Sequence, residues 1–172
     1  MRKNWRRTLE IVVNLETNVA NLNKLMLTKI EVRKAKQTDR ETLKSLLDSE
    51  RLPTSDLPTS LDNFFVVADG DQIIGGIGLE QYDDCGLLRS LVVAPSYRNQ
   101  NIAAKLIDQL EISAAGIGIR CIYLLTETAP GYFDKKGYER ISRNEVPVAL
   151  QKSSEFSHVC PTSAIVMKKP MK

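Results

Sequence analysis

The sequence predicts a mixed α/β domain in which a mostly antiparallel central sheet is flanked by helices. Two strand-like runs, residues 64–68 and 73–81, are separated by the tight turn Asp69-Gly70-Asp71, which is typical of a hairpin. A third apolar run, residues 87–93, is followed by a short polar turn and a helical pattern that begins at about Ile102. Strand-like and helix-like segments then alternate toward the end of the chain.

The other elements follow from local signals. Residues 30–33 alternate as a first strand does, and Thr38 with Glu41 has the form of a capping box before a helix that ends near Glu50. Glycines in the second hairpin strand predict a bulge or close packing. The remaining elements are, in chain order, a short helix near residues 59–61, a helix ended by Gly116 and Gly118, a strand at 120–126, a helix at 129–136 capped by Gly137, and strands at 138–141 and 163–168.

Composition is that of a globular protein. The 172 residues suit a single domain of ~150 residues or somewhat more, with a sizeable core. No apolar run approaches the ~18 residues that a membrane helix needs. The net charge is +3, but four positive charges lie in residues 1–7, which leaves −1 for the rest of the chain. We therefore expect neither a nucleic acid nor a membrane as partner.

Two regions are expected. Residues 1–28 form an N-terminal extension, helical or disordered, and residues 29–172 form the domain. The apolar residues from Leu15 to Met26 have helical spacing, as in a helix that packs on the domain or on a second copy in a homodimer. A targeting segment that contains the early arginines, or translation that begins at Met26, are the alternatives.

The thiols and the histidine bear on location and metals. Cys85, Cys121 and Cys160 are odd in number, far apart and without a C-x-x-C pair. This pattern favours reduced thiols in the cytoplasm over disulfides or a zinc site. Because His158 is the single histidine, we expect no Ser-His or multi-histidine site and no metal cofactor.

The most informative segment is the strand, turn and helix at residues 86–116. Such a connection points unpaired backbone N–H groups and the positive end of the helix dipole at whatever lies before the helix. Arg98 adds a full positive charge, Ala103 allows close backbone approach, and Asn101 tolerates left-handed dihedrals. The turn is predicted to hold a diphosphate. An ordinary connection with a solvated arginine is the alternative.

This segment resembles motif A of the GNAT N-acetyltransferases, which hold the pyrophosphate of acetyl-CoA on an R-x-x-G-x-A turn. Here the frame is Arg98-x-x-Asn101-x-Ala103, without the central glycine. Residues 132–138, YFDKKGY, resemble the second motif of the family, and the two motifs stand in the right order within residues 29–141.

The C-terminal region narrows the resemblance. Glu145-Val146-Pro147, Glu155-Phe156 and residues 160–164 resemble a branch that includes arsenic-resistance-associated N-acetyltransferases and the acetyltransferase domain of N-acetylglutamate synthases. The resemblance implies two neighbouring strands that splay apart to take acetyl-CoA as co-substrate. The implied coenzyme-binding residues are Leu91, Val92, Val93, Arg98, Asn99, Gln100, Asn101, Ile102, Ala103, Ala104, Phe133 and Lys136.

The resemblance also bears on catalysis. Many family members use a tyrosine four residues before the second-motif glycine to protonate the CoA thiolate, and that position is Phe133 here. Tyr132 is adjacent but about 100° away on a helix, and it stays a catalytic candidate. We expect transfer that depends mainly on positioning, with water as a possible proton source. Glu127 and Glu80 could accept the ammonium proton, although each could also be an ordinary solvated carboxylate.

Arg89 interrupts an apolar strand face, and a buried guanidinium needs a carboxylate. It could bind the acid group of an amino-acid-like substrate, with Ser90 and Thr126 beside it, or form an internal salt bridge to Asp83, Asp84 or Glu80.

The sequence therefore predicts an acetyl-CoA-dependent N-acetyltransferase that acts on a small amino-acid-like amine. A protein or peptide N-acetyltransferase and a non-catalytic CoA-binding module are the alternatives. An arsenite-binding thiol protein is disfavoured because the cysteines show no clustered spacing.

Overall fold

The computed structural model describes residues 30–171, and the expected N-terminal extension lies outside the described residues. Seven strands form one sheet: β1 (Glu31–Lys34), β2 (Phe64–Asp69), β3 (Gln72–Tyr82), β4 (Cys85–Val93), β5 (Cys121–Thr126), β6 (Glu139–Ile141) and β7 (Ile165–Pro170). The helices are α1 (Arg40–Ser49), α2 (Ile102–Gly116), α3 (Pro130–Lys135) and α4 (Val148–Gln151), and a π-helical turn covers Glu155–Val159. The predicted fold class is confirmed.

The sheet has the order β1-β2-β3-β4-β5-β7-β6. Every neighbouring pair is antiparallel except β4 and β5, which run parallel. β4 and β5 can run parallel because α2 forms the crossover connection between them. This parallel pair lies in the middle of the sheet, where the candidate site is also found.

Glycines in β3 let helices approach both faces of the sheet. A Cβ atom on Gly75 would lie 3.4–3.5 Å from Leu106 and Ile102 of α2, whereas one on Gly76 would lie 2.5 Å from Leu43 of α1. Because successive strand residues point to opposite faces, α1 and α2 cover opposite sides of the sheet. The close packing expected of these glycines is therefore present.

Two local predictions need correction. Residues 59–61 hold no helix within the described chain, because Pro53 and Pro58 keep this stretch irregular. The predicted Thr38–Glu41 capping box is not formed: α1 follows a 3₁₀ turn (Gln37–Asp39), and its N-cap residue Asp39 makes no side-chain cap hydrogen bond to the helix. The Asp39 carboxylate instead accepts the Lys36 backbone N–H at 2.6 Å, at the start of that turn.

The short helical segments between β6 and β7 were not predicted. They are α4 and the π-helical turn, and neither is long enough for a clear periodic pattern. Within the described part of the chain, no helix is both long and apolar enough to cross a membrane.

Candidate active site

The parallel strands β4 and β5 separate partway along their length. Their register pairs Cys85 with Cys121, Gly86 with Ile122 and Leu87 with Tyr123, and both strands continue beyond these positions. A cleft of about 880 Å³ lies where they diverge, lined on one side by residues 88–93 and on the other by residues 124–129.

A β-bulge in β4 marks this divergence. Gly76 pairs with Val92 and Gly78 pairs with Arg89, so Ile77 alone faces both Ser90 and Leu91. Ser90 has φ = 56°, which is unusual for a residue other than glycine in a strand. Bulges redirect a strand locally and free backbone groups from the ladder, and these groups are here exposed to the cleft.

The turn between β4 and α2 has the conformation that the sequence predicts. Asn101 has φ = 60° and Asn99 has φ = 63°, so two asparagines take left-handed dihedrals. No side chain among the described residues caps α2. The first N–H groups of this helix lack intrahelical partners and are available to an anion.

We expect Asn101→Ala to destabilise the protein by about 1 kcal/mol, because alanine tolerates positive φ poorly, whereas Asn101→Gly should not. Urea unfolding measures both changes. Gln100→Ala is the control, since Gln100 is exposed in the same turn without a positive φ. Equal losses at positions 100 and 101 would show that the backbone conformation is not what matters.

Arg98 lines the cleft at the diphosphate turn but is already paired. Its guanidinium contacts the carboxylate of Glu50, just after α1, and its Nε donates to the Val93 carbonyl at 3.2 Å. The side chain is 51% exposed, so its charge is accessible to a ligand at the end of β4. This ion pair joins the diphosphate turn to the end of α1 at the cleft lining.

Arg89 lies beneath the cleft and is 3% exposed. It forms ion pairs with Asp56 (2.6 Å), Glu80 and Glu155 (3.3 Å), and Ser90 Oγ accepts from its Nε at 3.3 Å. Although burial favours the neutral form, the hydrogen bond to Asp56 and the charges of the carboxylates raise the pKa of Arg89 above its ordinary value. The internal salt bridge with Glu80 is present, and all three guanidinium nitrogens have protein partners.

Glu155 is a buried carboxyl group in the same cluster. It is 7% exposed and lines the cleft. The pKa of Glu155 is raised to about 7, mainly by burial; the positive charge of Arg89 opposes the rise, and the charges of Asp56 and Glu80 add to it. Because Asp56 and Glu80 also share the arginine charge, Arg89 does not restore the ordinary value. Glu155 can therefore change protonation state near neutral pH.

Cys160 completes this corner of the cleft. Its Sγ is 3.7 Å from Glu155 Oε2. Burial and the neighbouring carboxyl group raise the pKa of Cys160 to about 12, which keeps it a neutral thiol at physiological pH. It is consequently a poor nucleophile in this structure.

The C-terminal end of β5 supplies the opposite wall. Thr126, Glu127, Tyr132 and Phe133 all line the cleft. The oxygen of Thr126 accepts the Ala129 N–H at 3.1 Å, and Glu127 is exposed. The Tyr132 and Phe133 rings meet edge to face at 5.6 Å, and burial raises the pKa of Tyr132, so its hydroxyl keeps its proton.

Some predicted site residues lie away from the cleft. Glu80 does not line it, because its carboxylate is held by Arg89 and by the Tyr82 hydroxyl at 2.7 Å. Lys136 does not line it either, because its ammonium group is paired with Asp108 of α2 at 3.1 Å. The residues Asn99, Gln100, Asn101, Ile102 and Ala104 belong to the turn and the start of α2 rather than to the cleft wall.

Three residues of this region have no site role in the predictions from sequence. Asp56 lies in the irregular loop after α1, Glu155 in a π-helical turn, and Cys160 just after it. Glu155 and Cys160 were noted as part of the C-terminal resemblance, which was the available signal. Asp56 carried none.

Comparison with known proteins agrees with this architecture. Residues 60–140 match the family model described as an acetyltransferase (GNAT) domain. An amino-acid acetyltransferase of Pseudomonas fluorescens is 30% identical over 95 residues, which is 54% of this chain and 22% of that protein. An amino-acid acetyltransferase of Aeromonas salmonicida is 26% identical, over 56% of this chain and 22% of its own length. The match thus spans about a fifth of these curated relatives.

Solved structures share the fold. N-acetylglutamate synthase from Neisseria gonorrhoeae, solved with coenzyme A and N-acetyl-glutamate, superposes with a TM-score of 0.73 at 20% identity, over 83% of this chain and 35% of that one. A GNAT acetyltransferase from Staphylococcus aureus superposes with a TM-score of 0.69 at 21% identity, over 83% of this chain and 99% of its own. The matched domain, the curated relatives and the common fold together indicate a GNAT N-acetyltransferase.

Proposed function

We propose that the protein transfers the acetyl group of acetyl-CoA to the amine of a small amino-acid-like substrate by direct attack on the thioester. One observation carries the proposal: a single cleft runs from the diphosphate turn, through the splayed strands, to the carboxyl group of Glu155, whose pKa is raised by burial. The relatives named amino-acid acetyltransferase support the substrate class.

The coenzyme is proposed to lie along β4. The N–H groups at the start of α2 and the guanidinium of Arg98 bind its diphosphate, and the small Ala103 leaves room for it. The pantetheine arm pairs with the backbone of Leu91, Val92 and Val93 where β5 has moved away. An N–H of this strand then stabilises the negative charge on the thioester oxygen during the reaction.

Glu155 is the proposed general base. Its carboxylate takes a proton from the substrate ammonium, and the freed nitrogen lone pair attacks the thioester carbon. As the C–S bond breaks, the nitrogen gives its second proton to water, so that the neutral amide forms. The CoA thiolate takes a proton from water or from Tyr132, which lines the cleft in its protonated form. Glu127 is the alternative base, at the exposed rim of the same cleft.

Arg89 is proposed to position Glu155 rather than to bind the substrate. Its hydrogen-bonding groups are occupied by Asp56, Glu80, Glu155 and Ser90, so a substrate acid group would have to displace one of them. Thr126 stays a proposed substrate contact, since its hydroxyl hydrogen is available at the cleft wall. A homodimer and a cytoplasmic location stay predictions.

An acetyl-transfer assay with an amine panel tests the activity. Release of CoA is followed with free amino acids, with amines that lack an acid group, and with peptides that present an N-terminus or a lysine. Acetylated products are identified by mass spectrometry. The proposal expects turnover with free amino acids. Turnover with peptides alone would favour a protein acetyltransferase, and CoA binding without any turnover would favour a binding module.

We expect Arg98→Ala to weaken CoA binding about tenfold, because one charge-assisted contact to the diphosphate is lost. The change in stability should stay below about 1 kcal/mol, since the ion pair is exposed. Fluorescence competition measures the Kd for CoA. Arg140→Ala is the matched control, because Arg140 is 53% exposed and ion-paired to Asp134 outside the cleft. Equal effects of the two variants would exclude a specific role for Arg98.

A further inference from the structure

The fold brings together two thiols that are far apart in the sequence. Cys85 begins β4 and Cys121 begins β5, and the two are direct partners in the parallel register. Both side chains pack against the cluster that contains Leu87 and Tyr123, so they lie on the same face of the sheet. Both are partly exposed, and neither forms a disulfide. The pair is at the closed end of the splay and does not line the cleft.

The spacing of the strands decides which chemistry suits this pair. Adjacent strands lie about 4.8 Å apart, and the side chains of register partners project in parallel. A disulfide tolerates this strand spacing, but it requires sulfur atoms about 2.05 Å apart and Cβ atoms about 3.8 Å apart, so side chains that project in parallel would have to turn toward each other. One ion held in line between two thiolates, with bonds of about 2.3 Å, keeps the sulfur atoms roughly 4.6 Å apart, which matches the strand spacing.

The surroundings favour an ion that needs two ligands only. Among residues 30–171, no cluster of three or more His, Cys, Asp or Glu side chains could hold a metal. The nearest carboxylate oxygen in contact with the pair is Oδ1 of Asp84, 3.5 Å from Cys85 Sγ, and it is a hard ligand. Structural zinc takes four ligands, whereas soft thiolates also bind Cu(I).

We propose that Cys85 and Cys121 form a two-coordinate site for a soft monovalent cation of the Cu(I) type. On binding, two S–H bonds break, two metal–sulfur bonds form and two protons pass to solvent, with no change of oxidation state. The resulting complex carries one negative charge, which the nearby Lys168 favours. Burial raises the pKa of both thiols, with Asp84 adding to the rise at Cys85 and Glu139 at Cys121, so the ion has to displace both protons. The bound ion ties β4 to β5 at the point from which they diverge.

Anaerobic titration with Cu(I), in competition with a chromogenic chelator, tests this site. The expected result is one ion per chain and a rise in Tm of about 5 °C at an ion concentration far above the Kd. Cys85→Ser and Cys121→Ser should each weaken binding by more than roughly 100-fold, since a direct ligand is lost. Cys160→Ser is the control and should bind as the wild type does.

A measurement on the unaltered protein guards against variants that fail to fold. Cu(I) should protect Cys85 and Cys121 together from alkylation while Cys160 continues to react, as mapped by peptide mass spectrometry. Binding that survives the loss of either thiol, or protection of only one of them, would overturn the proposal. So would a Cys85–Cys121 disulfide that forms on mild oxidation in a protein that does not bind Cu(I).

Discussion

Glu155→Gln is expected to lower kcat by about 10²–10³-fold at pH 7.5, because the substrate ammonium then has no buried base to accept its proton. The amide is nearly the same size, and its oxygen can still accept from Arg89 Nε, which is 3.3 Å from Glu155 in the wild type. The Kd for acetyl-CoA should therefore change little. Steady-state kinetics with the best amino acid of the panel measure kcat and KM.

The pH profile separates a base from a merely structural carboxyl group. Because the pKa of Glu155 is raised to about 7, kcat/KM of the wild type should rise with pH through this value, and the rise should be absent in the glutamine variant. Glu127→Gln is the control, since Glu127 lines the same cleft but is exposed. A large loss in the Glu127 variant, with normal activity in the Glu155 variant, would transfer the role to Glu127.

Stability gives an independent check on the same pKa. The folded-state pKa of about 7 lies above the ordinary 4.5, so the folded protein holds this proton more tightly than the unfolded chain does. The contribution of this bound proton to the free energy of unfolding is fully present below about pH 4.5 and is lost as the pH rises through 7. It amounts to roughly 3 kcal/mol. Urea unfolding at pH 5 and pH 8 should show this loss in the wild type and not in Glu155→Gln.

Arg89→Ala is expected to destabilise the protein by about 3–5 kcal/mol, because it leaves the carboxylates of Asp56, Glu80 and Glu155 without their shared cation. Activity should fall with the loss of folded protein and with the misplacement of Glu155. Urea unfolding at pH 7.5 measures the stability, and acetyl-transfer kinetics are taken where the variant is folded.

Arg33→Ala is the comparison for Arg89→Ala. Arg33 also holds a carboxylate, that of Asp39 at 2.6 Å, but its side chain is 31% exposed against 1% for Arg89. Arg33→Ala should therefore lower the free energy of unfolding by only about 1 kcal/mol. If Arg89→Ala keeps wild-type stability and raises only the KM for the amino acid, Arg89 is a substrate ligand and the positioning role is wrong.

The sequence predicted what local patterns determine. The hairpin, the strand before the diphosphate turn, and the start of α2 at Ile102 all depend on neighbours in the chain. The left-handed conformation of Asn101 followed from the chemistry of asparagine in the same way. These features were therefore accessible before any tertiary contact was known.

Features that depend on tertiary contacts were harder to predict. Arg89 was recognised as a buried cation, but two of its three carboxylates come from Asp56 and Glu155, in segments without periodic pattern. The adjacency of Cys85 and Cys121 follows from the parallel register, which spacing in the sequence does not reveal. The partners of Arg89 and the contact between the two strands both depend on residues far apart in the chain, which patterns in short segments do not predict.

Calorimetric titration of the wild-type protein with acetyl-CoA tests the central claim most directly, namely that the cleft between β4 and β5 holds the coenzyme. We predict one site per chain, with a Kd in the range of typical enzyme KM values, about 1 μM to 1 mM. The absence of binding heat at millimolar acetyl-CoA, together with an unchanged Tm, in a protein that circular dichroism shows to be folded would contradict it.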